Sequence, residues 1–216
     1  VGKKVAGSSE FTGLAFGDGS EFGLSITETL LDPANPLAPR FIGALSATIV
    51  GDINVPVINF VRKLNATTLQ PVWEVILNGS YAPGTPRGKI EALPDGGFLV
   101  ATECEASSFY GTGSGSNVML TKLDADGNIV WAKIYGGKGT EGARFLGESL
   151  DLIVTPDGYA FTVATDSFGI DDAVIGTRDF WVVKTDLGGN IPVMTGIMRD
   201  VTSVMTVTRL GTPTTT

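Results

Sequence analysis

Two separate motifs in this chain occur twice at one spacing. The segment LPDGGF at residues 93–98 returns as TPDGYA at 155–160, and TKLDADGN at 121–128 returns as VKTDLGGN at 183–190. Both pairs are offset by the same 62 positions (95 to 157 and 124 to 186). Because two independent motifs share one offset, the sequence indicates an internal repeat of one structural unit. This repeat constrains the fold more strongly than any other feature of the chain.

Each repeated motif is a turn between two strands. Asp-Gly between apolar runs is a strong hairpin signal, because glycine accepts a positive φ and aspartate can hydrogen-bond its own turn. The flanking runs are short, rich in β-branched and aromatic residues, and bounded by turn residues, which is typical of strands. The sequence therefore predicts four antiparallel strands per unit, in units that span about residues 22–80, 88–137 and 147–199. In the first unit a proline-rich loop at 31–40 replaces the tight turn.

The two ends of the chain carry partial units. Residues 1–7 resemble the last strand of a unit, and residues 201–210 resemble a first strand. The sequence thus predicts an all-β fold of about three full units plus these partial strands, in one domain over residues 1–210. The two end strands either combine into a closing fourth unit, leave the array open, or are completed by another chain. Residues 211–216 form a Thr/Pro-rich segment typical of a tail or linker.

Composition excludes several classes of function. The net charge of −8 lacks the basic surface that nucleic-acid binding needs, and it disfavours anionic membranes. No run of about 18 apolar residues is present, so we expect no membrane span in this chain. Cys104 is the only cysteine, which rules out an internal disulfide, and the chain contains no histidine to activate that thiol. We expect no signal peptide within this chain, and the start at Val1 predicts that it is processed from a longer precursor.

The repeated segments resemble the β-propeller repeats of secreted and surface proteins of bacteria and archaea. In that family a unit contains Pro-Asp-Gly-Gly-Phe/Tyr, a Gly/Ser-rich loop, a strand ending in Lys-Leu/Thr-Asp, and then x-Asp-Gly-Asn-Ile/Val-x-Trp before Tyr-Gly-Gly. The matching segments of this chain are 93–102, 120–131, 135–137, 155–164 and 183–191. Pro192 and Val193 stand where the family has x-Trp. The resemblance is clear over about residues 88–200 and fainter over about 22–80.

The resemblance implies that each unit is a propeller blade, and it carries over no catalytic residues. Complete propellers usually have four to eight blades, so three blades with spare strands leave an edge that needs cover. We therefore expect a non-enzymatic structural or adhesive protein, located at the cell surface or outside the cell, that is a subunit of an extracellular assembly. Its expected partners are copies of itself or other surface proteins, joined where a strand is shared between neighbours.

A carbohydrate-binding propeller is the alternative function. The loops at 105–117 and 166–179 would form its pocket, with Phe109, Tyr110 and Trp181 as the ligand-contacting aromatics. A propeller glycoside hydrolase that uses two carboxylates is a further alternative, which depends on their separation in space. A nucleophilic enzyme is disfavoured, because the chain has no Gly-x-Ser-x-Gly motif and no histidine base. We assign no catalytic residue.

The turn at Asp124, Asp126 and Asn128 has oxygen ligands at alternate positions, as a calcium loop begins. No later carboxylate follows at the right spacing, so the sequence favours a plain turn there, with calcium as the alternative. We predict no other cofactor.

Two Asn-x-Ser/Thr sequons, at Asn65 and Asn78, are candidate glycosylation sites. Trp73 and Trp131 occupy equivalent places in their units, which predicts that both pack between units.

Overall fold

The chain folds into antiparallel β-sheets. The computed structural model describes residues 2–6, 9–13, 21–29, 35, 37–49, 57–79, 83–105, 116–137, 139–142, 150–168, 179–192 and 196–210. Its strands are β1 Gly2–Ala6, β2 Ser9–Gly13, β3 Glu21–Glu28, β4 Phe41–Ile49, β5 Val57–Asn65, β6 Pro71–Gly79, β7 Pro83–Ala92, β8 Phe98–Glu105, β9 Ser116–Leu123, β10 Ile129–Tyr135, β11 Asp151–Thr155, β12 Gly158–Thr165, β13 Asp179–Thr185, β14 Met198–Asp200 and β15 Met205–Arg209. A 3-10 turn at Thr202–Val204 is the only helical element among these residues, so the all-β prediction is confirmed.

The strands form three large sheets and one hairpin. Sheet 1 has the order β15-β6-β5-β4-β3, sheet 2 the order β14-β10-β9-β8-β7, and sheet 3 the order β11-β12-β13, while β1 pairs with β2 alone. Sheets 1 and 2 each contain a meander of four consecutive strands, and each gains a fifth strand from the C-terminal part of the chain. The predicted four-stranded blades are therefore wrong as a strand count. Without a further strand, the outer edges of β6 and β10 would present unpaired backbone N–H and C=O groups. β15 pairs with β6, and β14 pairs with β10.

The third unit lacks its predicted fourth strand. The fourth strand would follow the turn at 186–190, but Ile191, Pro192, Gly196 and Ile197 lie outside any strand, and 193–195 lie outside the described residues. Pro192 has no N–H to donate to a ladder. Gly196 has a φ of +90°, which interrupts an extended chain. The next strand, β14, pairs with sheet 2 instead.

The two partial strands do not combine into a closing unit. Residues 2–6 pair with 9–13, and β15, expected as a first strand, is the outer strand of sheet 1. The guanidinium of Arg209 in β15 also donates to the backbone oxygen of Asp126 at 2.6 Å and to Oδ1 of Asn128 at 2.8 Å, which ties sheet 1 to a turn of sheet 2. Over the described ranges, the sheets form no closed propeller.

The hairpins of the second and third units differ by one residue. Ala92 pairs with Phe98 across the first turn of sheet 2, whereas Val154 pairs with Tyr159 across the first turn of sheet 3. Gly97 has no counterpart in the shorter turn. The structural equivalent of Phe98 is therefore Tyr159, one residue earlier than the sequence offset predicts.

Sheet 2 lies between sheets 1 and 3 and is buried on both faces. Successive strand residues point to opposite faces, so Phe98 and Val100 belong to one core cluster with sheet 1, and Leu99 and Ala101 belong to another with sheet 3. The side chain of each of these four residues is fully buried. A third cluster packs the C-terminal segment against sheet 2 through Val201 and Met205.

The same contact joins sheet 1 to sheet 2 and sheet 2 to sheet 3. Trp73 of β6 packs against Phe98 with ring centroids 5.9 Å apart, and Trp131 of β10 packs against Tyr159 at the same 5.9 Å. Each tryptophan belongs to one unit, and its aromatic partner is the first or second residue of the second strand of the next unit. The predicted packing of both tryptophans between units is confirmed.

Each tryptophan also lies over a tight turn of the next unit. A Cβ on Gly127 would lie 3.1 Å from the Trp73 ring, and a Cβ on Gly189 would lie 2.9 Å from the Trp131 ring. Both glycines have a positive φ, +82° and +75°, so the turn needs glycine both for its backbone and for this close approach. The units therefore stack in one direction, with the face that carries the tryptophan covered by the unit that follows.

Candidate functional site

The outer face of sheet 3 is exposed, although the equivalent faces of sheets 1 and 2 are covered. Alternation along β11 and β13 sends Ile153, Phe180 and Val182 outward, where they are 55%, 74% and 60% exposed. The inward neighbours Leu152 and Val183 are buried in the core with sheet 2. Sheet 3 therefore presents a continuous apolar surface, which we call the open face and define by Ile153, Ala160, Thr162, Phe180 and Val182.

The open face contains a shallow groove of about 270 Å³. Its walls are formed by Asp151, Leu152, Ile153, Ala160, Phe161, Thr162, Phe180 and Val182. Only Asp151 and Thr162 contribute polar side chains, so the groove suits an apolar group better than a charged or sugar-like one.

Ion pairs lie at the border of the open face. Nζ of Lys184 contacts Oδ1 of Asp157 at 2.8 Å, and Nζ of Lys89 in sheet 2 contacts Oδ1 of Asp151 at 3.5 Å. The hydrogen bond from Lys184 holds the pKa of the Asp157 carboxyl below its usual value. These charges surround the apolar surface without covering it, an arrangement found at protein interaction sites.

A buried carboxyl group lies where sheet 2 meets sheet 3, and the sequence analysis missed it. Glu141 is fully buried; its Oε1 accepts a hydrogen bond from the Thr165 hydroxyl at 3.0 Å, and its Oε2 accepts one from the Gly137 N–H at 3.0 Å. Burial raises the pKa of Glu141, and the hydrogen bonds only partly oppose that effect.

A second buried carboxyl group, that of Glu103, has Oε2 3.8 Å from Nη1 of Arg87. A Cβ on Gly142, the residue after Glu141, would lie 2.6 Å from the Glu103 carboxyl carbon. Both carboxyl groups are thus held inside the fold by local partners. No signal in the sequence distinguishes Glu103 or Glu141 from the many exposed acidic residues.

The predicted calcium candidate is built as a tight turn. Oδ1 of Asp124 accepts hydrogen bonds from the N–H groups of Asp126 at 2.9 Å and Asn128 at 2.8 Å, and Oδ2 accepts from Nδ2 of Asn128 at 2.9 Å. The equivalent turn repeats these bonds between Asp186 and Asn190. In the described part of the chain no group of three acidic, histidine or cysteine side chains is arranged to hold a metal ion. Calcium binding at Asp124, Asp126 and Asn128 stays a prediction.

The predicted ligand-binding aromatics are only partly described. Phe109 and Tyr110 lie outside the described residues. Trp181 is half-buried; its ring packs against Phe161 at 6.1 Å and against Phe168 at 4.7 Å. These contacts place Trp181 on the inward side of sheet 3, opposite the open face. Its role in carbohydrate binding stays a prediction.

The two sequons differ in their surroundings. Oδ1 of Asn65 accepts hydrogen bonds from the N–H groups of Thr67 and Thr68 at 2.9 Å, in the turn between β5 and β6. Asn78 lies within β6, and its Nδ2, the atom that would carry a glycan, donates to Oγ1 of Thr208 at 2.7 Å. Glycosylation at either residue stays a prediction, and the geometry favours Asn65.

Four strands were predicted in the third unit, but neither Phe180 nor Val182 was singled out as a site residue. A signal was available, because residues 180–183 are Phe-Trp-Val-Val and a run of four apolar residues makes both faces of a strand apolar. Cys104, the second-last residue of β8, is buried.

Comparison of the chain with protein-family models, with curated proteins and with solved structures finds no match in any of the three. Among the described residues there is no helix of the length and hydrophobicity needed to cross a membrane.

Proposed function

We propose that this chain is a non-enzymatic structural or adhesive protein of the cell surface or extracellular space, made of propeller-like units and acting as a subunit of a larger assembly. The observation that carries the proposal is the open face of sheet 3. Sheets 1 and 2 bury the same face against the unit that follows, whereas Phe180 and Val182 are more than half exposed. A contiguous exposed apolar surface on a folded chain marks a site of protein interaction.

The chemistry of the chain supports a role without catalysis. The sequence contains no histidine, so the commonest general base of enzymes is missing. The buried carboxyl groups of the described region all have partners inside the fold. Glu74 pairs with Arg62, Glu103 pairs with Arg87, and Glu141 accepts from the Thr165 hydroxyl and the Gly137 N–H. The open face itself is lined by aliphatic and aromatic side chains, which bury area against a partner but transfer no protons.

The proposal is tested on native material from cells that produce the protein. Antibody labelling of intact, unpermeabilised cells together with the native mass of the gently extracted protein gives both location and assembly state. We expect surface label and a particle much heavier than the 22.5 kDa chain. Label that appears only after permeabilisation, together with a 22.5 kDa particle, would contradict the proposal.

A further inference from the structure

Comparison of equivalent residues in the three units shows that, among the described residues, the open face lacks a covering sheet. Val61, Leu120 and Val182 each lie four residues before the turn that opens with Asn65, Asp124 or Asp186. The first two are fully buried against the next sheet, and Val182 is 60% exposed. The open face is therefore in register with two surfaces that already bind a repeat unit.

The surfaces that cover a sheet inside this chain share the same structural elements. Sheets 2 and 3 each contribute a large apolar side chain at the start of the second strand of the meander, and a tight turn after the third strand. Phe98 pairs with Leu123 and Tyr159 pairs with Thr185; in sheet 1 the pair at this place is Ile42 with Leu64. The corresponding turn of sheet 1 begins at Asn65. Sheet 1 thus carries an apolar pair and a turn at the equivalent places, but with Ile42 in place of the aromatic ring and no glycine in the turn at 65–70. Leu64 of this pair is 6% exposed.

The outward side of sheet 1 also has a recess for an apolar side chain. A groove of about 450 Å³ opens there, and its lining includes Leu24, Ile26 and Ala44. Ile26 is 70% exposed. Beneath it, the Arg62 guanidinium pairs with the Glu74 carboxylate and donates to the Ser46 hydroxyl at 2.5 Å, so the buried charge in this surface is already neutralised.

We propose that the open face of sheet 3 binds the outward side of sheet 1 of a second copy of this chain, head to tail. The inference rests on the proposed function and names the partner. Within the described part of the chain, β14 and β15 are already paired to sheets 2 and 1, and the β1–β2 hairpin has two strands of five residues. The covering units inside the chain are meanders of three or four strands. A second copy supplies such a unit, and Phe180 is the side chain placed to enter its groove.

A contact between two different faces does not close on itself in a dimer. Each copy keeps one free face after binding, so the contact generates a ring or an open filament. This property separates the proposal from a symmetric dimer formed by two open faces.

The test is sedimentation velocity of the purified chain from the micromolar to the sub-millimolar range. We expect the wild-type mass to rise well above 22.5 kDa with concentration. Phe180→Asp should abolish this rise by placing a charge in the contact, and Ile26→Asp should do the same from the other side. Leu187→Asp is the matched control, because Leu187 is 56% exposed on a turn of sheet 3 outside the open face, and it should associate like the wild type.

Mixing the two deficient variants gives the sharpest result. Phe180→Asp keeps an intact sheet 1, and Ile26→Asp keeps an intact open face, so the mixture should form a dimer that grows no further. Circular dichroism confirms that each variant is folded. A monomeric wild type, an unaffected Phe180→Asp variant, or an unaffected Ile26→Asp variant would each overturn the proposal. A monomeric pure chain beside a large native particle would leave the proposed function standing and reject only the partner.

Discussion

Sheets 2 and 3 share one sequence repeat but have different surroundings. In sheet 2, β9 and β10 are buried along nearly their whole length, because a neighbouring sheet covers each face. In sheet 3, β13 alternates between exposed and buried positions. The motif therefore determines the hairpins and turns, and the place of a unit in the stack determines which faces are covered.

One ion pair appears in both units and shows the same contrast. Lys122 contacts Asp95 at 2.9 Å, and Lys184 contacts Asp157 at 2.8 Å. The Lys122 side chain is 19% exposed and that of Lys184 is 45% exposed. The two N–O distances are nearly equal, but solvent screens the pair in sheet 3 more strongly because its lysine is more exposed.

The largest difference in the effect of a substitution on stability is expected between the equivalent residues Leu120 and Val182. Leu120→Ala removes a fully buried side chain between sheets 2 and 3, and it should lower the free energy of unfolding by about 2–5 kcal/mol. Val182→Ala should change it by less than about 0.5 kcal/mol, because that side chain already contacts water. Urea unfolding at low protein concentration measures both, and equal losses would refute the contrast between the two sheets.

A smaller loss of stability is expected from replacing a turn glycine that is covered by a tryptophan. Gly189→Ala places an alanine in the left-handed backbone region, which costs about 1–2 kcal/mol. Its Cβ would also press against the Trp131 ring. Gly96 has a similar φ of +80°, but a Cβ there would lie 3.6 Å from that of Ala125, in ordinary contact. Gly96→Ala therefore reports the backbone strain alone. Thermal unfolding should rank Gly189→Ala as the more destabilising, and the reverse order would argue against the close tryptophan contact.

A gain in stability is expected at Asn59. This residue is fully buried on the sheet 2 side of sheet 1, and its side-chain amide has no hydrogen-bond partner among the described residues. The equivalent residue of sheet 2 is Val118. Asn59→Val should therefore raise the free energy of unfolding by about 1–2 kcal/mol, since an unsatisfied buried polar group is removed. A loss of stability in urea unfolding would show that the Asn59 amide has a partner.

The smallest effect on stability is expected from the titration of Glu141, at the junction of sheets 2 and 3. Because burial raises the pKa of Glu141 above its ordinary 4.5, the unfolded chain ionises this group first as pH rises. Its contribution to stability therefore falls from pH 4.5 upward, until the folded carboxyl also ionises. Glu141→Gln cannot titrate and should show a flatter decline over that range. Identical pH profiles for the wild type and Glu141→Gln, from urea unfolding, would count against this account.

Much of the fold could be predicted from the sequence. The Asp-Gly turns of the second and third units predicted hairpins that the structure contains, and the tryptophan positions predicted the packing between sheets. These features are local, because a turn residue and its flanking strands lie within a few positions of one another. The register of one hairpin was missed, because the sequence offset does not reveal that Gly97 has no counterpart in the third unit.

The rest depends on contacts between distant parts of the chain. Nothing local distinguishes β15 as a fifth strand of sheet 1 from a first strand of another unit, because the same strand pattern fits both. The open face was missed for a similar reason. Phe and Val are residue types that usually lie in protein cores. Phe180 and Val182 are exposed because no sheet follows sheet 3 in the described part of the chain.

The central difference between the two sheets is that equivalent residues are covered in sheet 2 and exposed in sheet 3. Native-state thiol labelling of Leu120→Cys and Val182→Cys tests it most directly, at protein concentrations too low for self-association. Cys104 is fully buried and serves as the internal reference. We predict that Val182→Cys reacts at the rate of a free thiol, while Leu120→Cys reacts as slowly as Cys104. Equal protection of the two introduced cysteines would show that sheet 3 is covered like sheet 2 and would contradict the account.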